Sequence, residues 1–212
     1  MYPTAPPYRT YVTPLEGEAS GEGAARLGFF RGVATVVTKL FATARPTHSA
    51  FGQKDGYQCI VVRQLARDLN LGVDVRIVPT MRDDDGLAMS SRNIYLSEQE
   101  RAAAPALYQA LQSIRKGVEA GPGWDADSLR AGAASVLAAE GGGQFGSFEY
   151  VSIACAQTGR AVEDAGGSIA HDGALLVSVA APIGRTRLID NVVIVPGKPD
   201  LSPADAADYI GR

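Results

Sequence analysis

The chain has 212 residues, 46% of them hydrophobic and 20% charged, with a formal net charge of −3 at neutral pH. That length suits one large domain or two small ones, and the apolar content excludes a chain disordered throughout. The charge balance offers no broad basic surface for nucleic acid, and no apolar run approaches the roughly 20 residues that span a bilayer.

Met1-Tyr2-Pro3 is not the start of a basic-then-apolar secretory signal, and the two cysteines, Cys59 and Cys155, have no CxxC spacing. Buried thiols in a reducing compartment are the expectation, and with them a soluble, cytoplasmic protein.

Residues 1–28 are irregular, with four prolines and a Gly/Glu/Ala-rich stretch; only residues 8–12 read as a strand. From Phe29 the pattern turns helical, with Val33, Val36, Val37, Leu40 and Phe41 on one face and Pro46 as the stop. Ser49-Ala50-Phe51 is a short β-run, followed by Gly52-Gln53-Lys54-Asp55 and an amphipathic helix over 58–69. That helix turns Ile60, Val61, Leu65 and Leu69 inward and Arg63 outward, and Asn70 or Gly72 supplies a left-handed stop. Residues 73–78 alternate as a strand. Helices between strands imply a parallel sheet with crossovers.

The turn at 52–55 combines features that suit an anion. A glycine at Gly52 lets the backbone approach a ligand. Asp55 stands at a helix N-cap, Lys54 adds a full positive charge, and Gln58 lies one turn into the helix. A purely structural strand–helix turn fits the same residues.

The segment over 80–95 holds Arg82, three consecutive acids (Asp83, Asp84, Asp85), Gly86, and then Met89-Ser90-Ser91-Arg92-Asn93. Hydroxyls, an arginine and an amide suit polyphosphate oxygens, while a capping turn with a solvated arginine is the alternative. The acids read as a solvated loop or a divalent-cation site. Ser97 with Glu100 forms a capping box that opens one long helix to about Val118, and a second helix covers 127–139. Residues 148–154, 175–181 and 187–195 read as antiparallel strands, with His171 in the loop over 164–173 and a proline-rich tail from 196 carrying a short helix at most.

Several stretches then carry a resemblance. Phe30-Arg31-Gly32-Val33-Ala34-Thr35-Val36-Val37-Thr38-Lys39-Leu40-Phe41, Phe51-Gly52-Gln53-Lys54-Asp55, Asp85-Gly86-Leu87-Ala88-Met89-Ser90-Ser91-Arg92-Asn93 and Arg187-Leu188-Ile189-Asp190-Asn191 occur in the order and spacing of the pantothenate synthetase (pantoate–β-alanine ligase) family, whose latter two-thirds the chain resembles. The resemblance implies an α/β fold: residues 1–80 as the C-terminal part of a Rossmann-like nucleotidyltransferase domain, 81–195 as a small α+β domain with a three-stranded antiparallel sheet, and 196–212 as a tail. It implies ATP-dependent joining of pantoate to β-alanine through pantoyl adenylate, with Mg²⁺ on the phosphates and a homodimer as the complete family enzyme. Carried over by position, Gly52, Gln53, Lys54, Asp55, Met81, Met89, Ser90, Ser91 and Arg92 would bind ATP, and Gln58 pantoate. Lys54 and Arg92 would stabilise the transition state, Arg92 swinging on a hinge at Gly86.

The departures bear on activity. The family's His-x-Gly-His motif has no counterpart here, since the only histidines are His48 and His171. Where many members read Arg-Pro-x-His, this chain reads Arg26-Leu27-Gly28-Phe29. The expectation is a chain inactive by itself, with a non-catalytic nucleotide-binding or interaction remnant as the alternative.

Overall fold

In the computed structural model, which describes residues 9–15, 21–121, 123–163 and 173–212, a parallel β-pair and a three-stranded antiparallel sheet share helical packing. The expected loop around His171 falls outside these residues, apart from its end at Gly173.

The first half contains α1 (Gly21–Ala25), α2 (Phe29–Ala44), β1 (His48–Gly52), α3 (Gly56–Asp68) and β2 (Asp74–Val78). Strands β1 and β2 pair in parallel, with Phe51 opposite Ile77, and α3 is the crossover between them. Both expected left-handed stops are used, Asn70 at φ 50° and Gly72 at φ 67°.

Three expectations need correction here. Residues 9–12 form no strand; the Val12 N–H is taken instead by the Thr35 hydroxyl of α2 at 2.9 Å. Helix α2 buries Phe30, Ala34, Val37 and Phe41 and leaves Leu40 45% exposed, a stripe rotated from the expected one. Phe30 sets that rotation, its ring centroid 6.4 Å from that of Tyr57 on α3. Leu69, just past the end of α3, is 44% exposed, whereas Arg63 of α3 is no solvent-side residue. Its guanidinium donates to the carbonyls of Val75, Asp208 and Ile210.

The second half contains α4 (Glu98–Ala103), α5 (Ala106–Glu119), α6 (Ala126–Glu140), β3 (Tyr150–Cys155), β4 (Leu175–Ile183), β5 (Thr186–Ile194) and α7 (Pro203–Ala207). The Ser97 capping box is formed, but the expected long helix is two, because Pro105 has no N–H for a helix interior. The antiparallel strands run in the order β3-β4-β5.

Side chains alternate along β4, so the sheet serves two cores. Leu176 joins Ile60, Val61 and Leu65 of α3, while Leu175, Val177 and Val179 pack with Leu107, Leu111 and Ile114 of α5. A sheet covered on both faces explains why residues 175–181 are apolar except for Ser178. No helix among the described residues is long and apolar enough to cross a membrane.

The C-terminal tail folds back onto the first core. Ala207 and Ile210 are fully buried, and the Gly211 N–H donates to the Ala156 carbonyl at 2.8 Å. Ile210→Ala should therefore lower unfolding stability by about 2–5 kcal/mol, the usual range for truncating a buried aliphatic side chain. Urea denaturation measures this, and a loss below about 0.5 kcal/mol, typical of surface changes, would show that the tail is not part of the core.

Candidate active site

The strand β1 ends at Gly52 and passes through a 3-10 turn, Gln53–Asp55, into α3. Gly52 is extended, at φ −75° and ψ 130°, a conformation that any residue adopts. The glycine required for packing is Gly56: a Cβ on it would sit 2.9 Å from Leu176 and 3.3 Å from the Asn191 amide. Open space surrounds Gly52 on its Cβ side, which leaves the backbone approachable. Asp55 stands at the N-cap as expected, but its side chain makes no capping bond.

The turn is held from β5. Asn191 Nδ2 donates to the carbonyls of Gln53 at 2.8 Å and Lys54 at 2.9 Å, and its Oδ1 accepts from Gln53 Nε2 at 3.2 Å. The Gln53 side chain thus points into the protein and is 7% exposed. Beside it, Asp190 receives both ends of the Arg82 guanidinium at 2.7 and 2.9 Å. Burial raises the Asp190 carboxyl above its ordinary value, opposed by the bonds and charge of Arg82. Arg82 also lies 3.8 Å over the Tyr108 ring and donates to the Gly86 carbonyl.

Arg82 opens the second loop. Residues 83–87 close as a tight turn, and Asp83 and Asp85 bind Arg101 at 3.0 and 2.6 Å. Among the described residues there is no group of three or more acids, histidines or cysteines that could hold a metal ion. Gly86 takes φ 91°, and a Cβ there would approach Tyr108 to 2.7 Å. It is a packed turn glycine rather than an open hinge. Leu87 and Ala88 are buried, so the segment that can move without breaking this turn begins at Met89.

From there the residues face outward. Met81 and Met89 are 69% and 54% exposed and joined by a backbone hydrogen bond, Met89 N–H to the Met81 carbonyl. Ser90 caps a 3-10 helix, Ser91–Tyr95, accepting from the Arg92 N–H; Ser91 and Arg92 are exposed. The two loops lie within electrostatic reach of each other at Lys54. Burial lowers the Lys54 ammonium from 10.5, Asp55 and Asp190 oppose that shift, and the nearby charges of Arg92 and Arg82 add to it. Of the remaining expected site residues, Gln58 lines one cavity with Lys54 and Asp55. His48 lies at the far end of β1, beside Asp74.

That cavity is small, about 20 Å³, room for roughly one water. Glu22, Phe29, Phe30, Tyr150 and Asp190 are among its other wall residues. Glu22 is 7% exposed and accepts from Arg187, Arg26 and the Tyr150 hydroxyl at 2.8–3.1 Å. Burial pushes its carboxyl up, but the Arg187 and Arg26 hydrogen bonds outweigh that and hold it below 4.5. The reading of the sequence missed Glu22, Gly56, Arg82, Asp190 and Asn191 as parts of the site. The string Arg187-Leu188-Ile189-Asp190-Asn191 was the one signal available for the last two.

Asn191→Ala removes three side-chain hydrogen bonds and strands two carbonyls, so stability should fall by roughly 2–4 kcal/mol in urea titration. A change under about 0.5 kcal/mol would mean that Asn191 does not hold the turn. Glu22 yields a pH prediction. Its folded-state pKa lies below 4.5, so its contribution is complete above that pH and is lost as pH falls through the lower folded value. Acid unfolding of Glu22→Gln should be flatter in that window, and an unchanged acid limb would refute the pairing.

Comparison with known proteins agrees along the chain. The sequence model of the family described as pantoate-beta-alanine ligase matches residues 1–193. The pantothenate synthetase of Chloroflexus aurantiacus (strain ATCC 29366 / DSM 635 / J-10-fl) is 51% identical over 191 residues, covering 90% of this chain and 64% of that protein. This chain thus spans less than two-thirds of that relative's length. The crystal structure of pantothenate synthetase from Thermus thermophilus is similar at TM-score 0.77 and 38% identity, covering 91% of this chain and 65% of that one. The fold is also that of pantoate-beta-alanine ligase from Francisella tularensis, solved in complex with beta-gamma ATP and beta-alanine, at TM-score 0.62, 24% identity, 93% of this chain and 61% of that one. The chain belongs to the pantoate-beta-alanine ligase family.

Proposed function

We propose that this chain carries the phosphate-binding side of a pantoate–β-alanine ligase. In that reaction a pantoate carboxylate oxygen attacks the α-phosphorus of ATP, and pyrophosphate leaves. The β-alanine nitrogen then attacks the acyl carbon of pantoyl adenylate, loses a proton and expels AMP, giving pantothenate. The observation that carries the reading is that Lys54, half-buried at the turn beside Gln58, feels the charge of Arg92 on the exposed segment.

Two cations within electrostatic reach of each other suit the β,γ-phosphates, where negative charge grows as pyrophosphate departs. The backbone at Gly52, Gln53 and Asp55 and the side chains of Met81, Met89, Ser90 and Ser91 would surround the rest of the nucleotide. Gln58, neutral and beside Lys54, would hold pantoate without lowering the nucleophilicity of its carboxylate. No acid cluster among the described residues fits Mg²⁺, so the ion would travel on the ATP phosphates, and none of these roles depends on it. The same reading makes the protein cytoplasmic, a homodimer in its complete form, with small molecules rather than nucleic acid as partners.

The 20 Å³ cavity beside Gln58 is too small for pantoate. The chain also spans only 64% of its Chloroflexus relative. Both favour a site completed by further residues, so the 212-residue chain alone should release no pantoate-dependent AMP. Joined to the N-terminal third of that relative, it should release AMP and pyrophosphate. Lys54→Ala in the joined protein should then slow pyrophosphate release by about 10²-fold or more. The alkaline limb of the pH profile should lie below 10.5, because burial lowers the Lys54 ammonium, and Lys54→Arg should move it upward. Full turnover by the chain alone would sink the incomplete-site reading and the remnant alternative together. Normal turnover with Lys54→Ala would remove Lys54 from the chemistry.

A further inference from the structure

Behind the Lys54 turn lies a second cavity, of about 340 Å³, that the reaction above does not use. Its walls come from α5, from β5 and from the C-terminal tail, together with Gln53, Thr80 and Arg82 on the side of the site. The tail contributes Lys198, Leu201, Pro203 and Ala206, all beyond residue 193, where the match to the family's sequence model stops. The tail is also firmly seated, with Arg63 donating to two of its carbonyls and Ile210 fully buried beneath it.

The charge in this cavity does not balance. Arg82, Arg115 and Lys198 are all wall residues, and no acidic residue is. Asp190 neutralises Arg82 from the other side of β5. Arg115 has Glu119 at 3.9 Å from Nη1 and donates Nη2 to the Val193 carbonyl. Lys198 engages only the neutral Tyr209 hydroxyl and ring among the described residues. Of the tail acids, Asp205 and Asp208 are held elsewhere, by Ser202 and by Arg63 and Arg212, and Asp200 is exposed and is not a wall residue. A net positive charge therefore remains between α5 and the tail.

A second, independent observation points the same way. Two wall residues each carry a buried polar atom with no hydrogen-bond partner among the described residues: Nε of Arg115 and Oγ1 of Thr80. Buried polar groups are nearly always satisfied, and a bound water or ion is among the explanations of an exception.

We propose that this cavity is a second anion site, built by the tail, that takes a phosphate-class oxyanion on Arg115, Lys198 and Thr80. Oxyanions with several acceptor oxygens match a guanidinium, an ammonium and a hydroxyl arranged around one space. Arg82 and Gln53, which share bonds with the Asp190–Asn191 pair, form the wall towards the first site, so an anion here lies directly behind the turn that carries Lys54.

The test is a calorimetric titration of the full chain with inorganic phosphate and, separately, with pyrophosphate. Saturable binding of at least one is expected, weakened about tenfold or more by Arg115→Gln and by Lys198→Gln, since each lost charge-assisted bond is worth about a decade in affinity. Pyrophosphate binding tighter than phosphate would assign the site to a diphosphate, and the reverse order to a single phosphate group; either upholds it. Lys198 is exposed, so its variant remains folded and informative even where the Arg115 variant loses its bond to Val193. Two results would overturn the proposal: no saturable binding of either anion at about 10 mM, or binding that Lys54→Ala abolishes and Lys198→Gln leaves intact.

Discussion

A single amide ties the candidate site together. Asn191 uses both N–H donors on the Gln53 and Lys54 carbonyls and its oxygen on the Gln53 side chain, while its own backbone N–H is taken by Asp190. Each such bond contributes about 1 kcal/mol net, but a buried carbonyl left without one costs more, so the turn has few alternative positions. Asp190, the neighbour on β5, fixes the second loop in the same way through Arg82. Two loops far apart in sequence are therefore referred to one pair of adjacent residues on one buried strand. The position of Lys54 relative to Arg82 follows from that arrangement.

The buried anchors and the exposed ligand-facing groups divide the work. Gln53, Gly56, Asp190 and Asn191 are buried and bonded or close-packed, whereas Met81, Met89, Ser91 and Arg92 stand in solvent. Parallel strands ordinarily have both faces covered, yet β1 alternates between exposed and half-buried residues along its length. The same region includes the exposed Leu40, Val78 and Met81. These exposed apolar groups lie on the parallel pair and its flanks.

Much of this fold was legible because its signals are local. The capping box at Ser97, the left-handed stops at Asn70 and Gly72, the crossover helix and the three antiparallel strands each rest on a period or a residue type. What was not legible depended on tertiary partners. The rotation of α2 follows from the contact between Phe30 and Tyr57, and helical spacing alone allows either stripe. Arg63 reads as a surface cation until the tail, 145 positions away, supplies carbonyls for it. The site divides similarly. Lys54, Asp55 and Arg92 stand in recognisable strings, but the role of Gly56 depends on how closely Leu176 packs, and Glu22 needs Arg187, 165 positions on, to be held as an anion.

The electrostatics around Lys54 set the limits of what the corner does. Four charges act on its ammonium: Asp55 and Asp190 favour the cation, Arg92 and Arg82 disfavour it, and burial disfavours it most. With the two acids opposed by the two arginines, the charge an arriving phosphate meets at the turn is chiefly that of Lys54 itself. Asp190 is already bound to Arg82 on both oxygens, so it cannot swing to Lys54 and neutralise it. Asp55 is exposed, and water screens its hold on the ammonium. A phosphate entering this partly dehydrated corner would displace neither an internal salt bridge nor a capping side chain, because Asp55 makes no cap bond to α3. Its negative charge would oppose the effect of burial and return the lysine towards its ordinary basicity. A cation kept half desolvated and without a tight internal partner binds developing negative charge more strongly than one already paired, which is the property that stabilising a departing pyrophosphate requires.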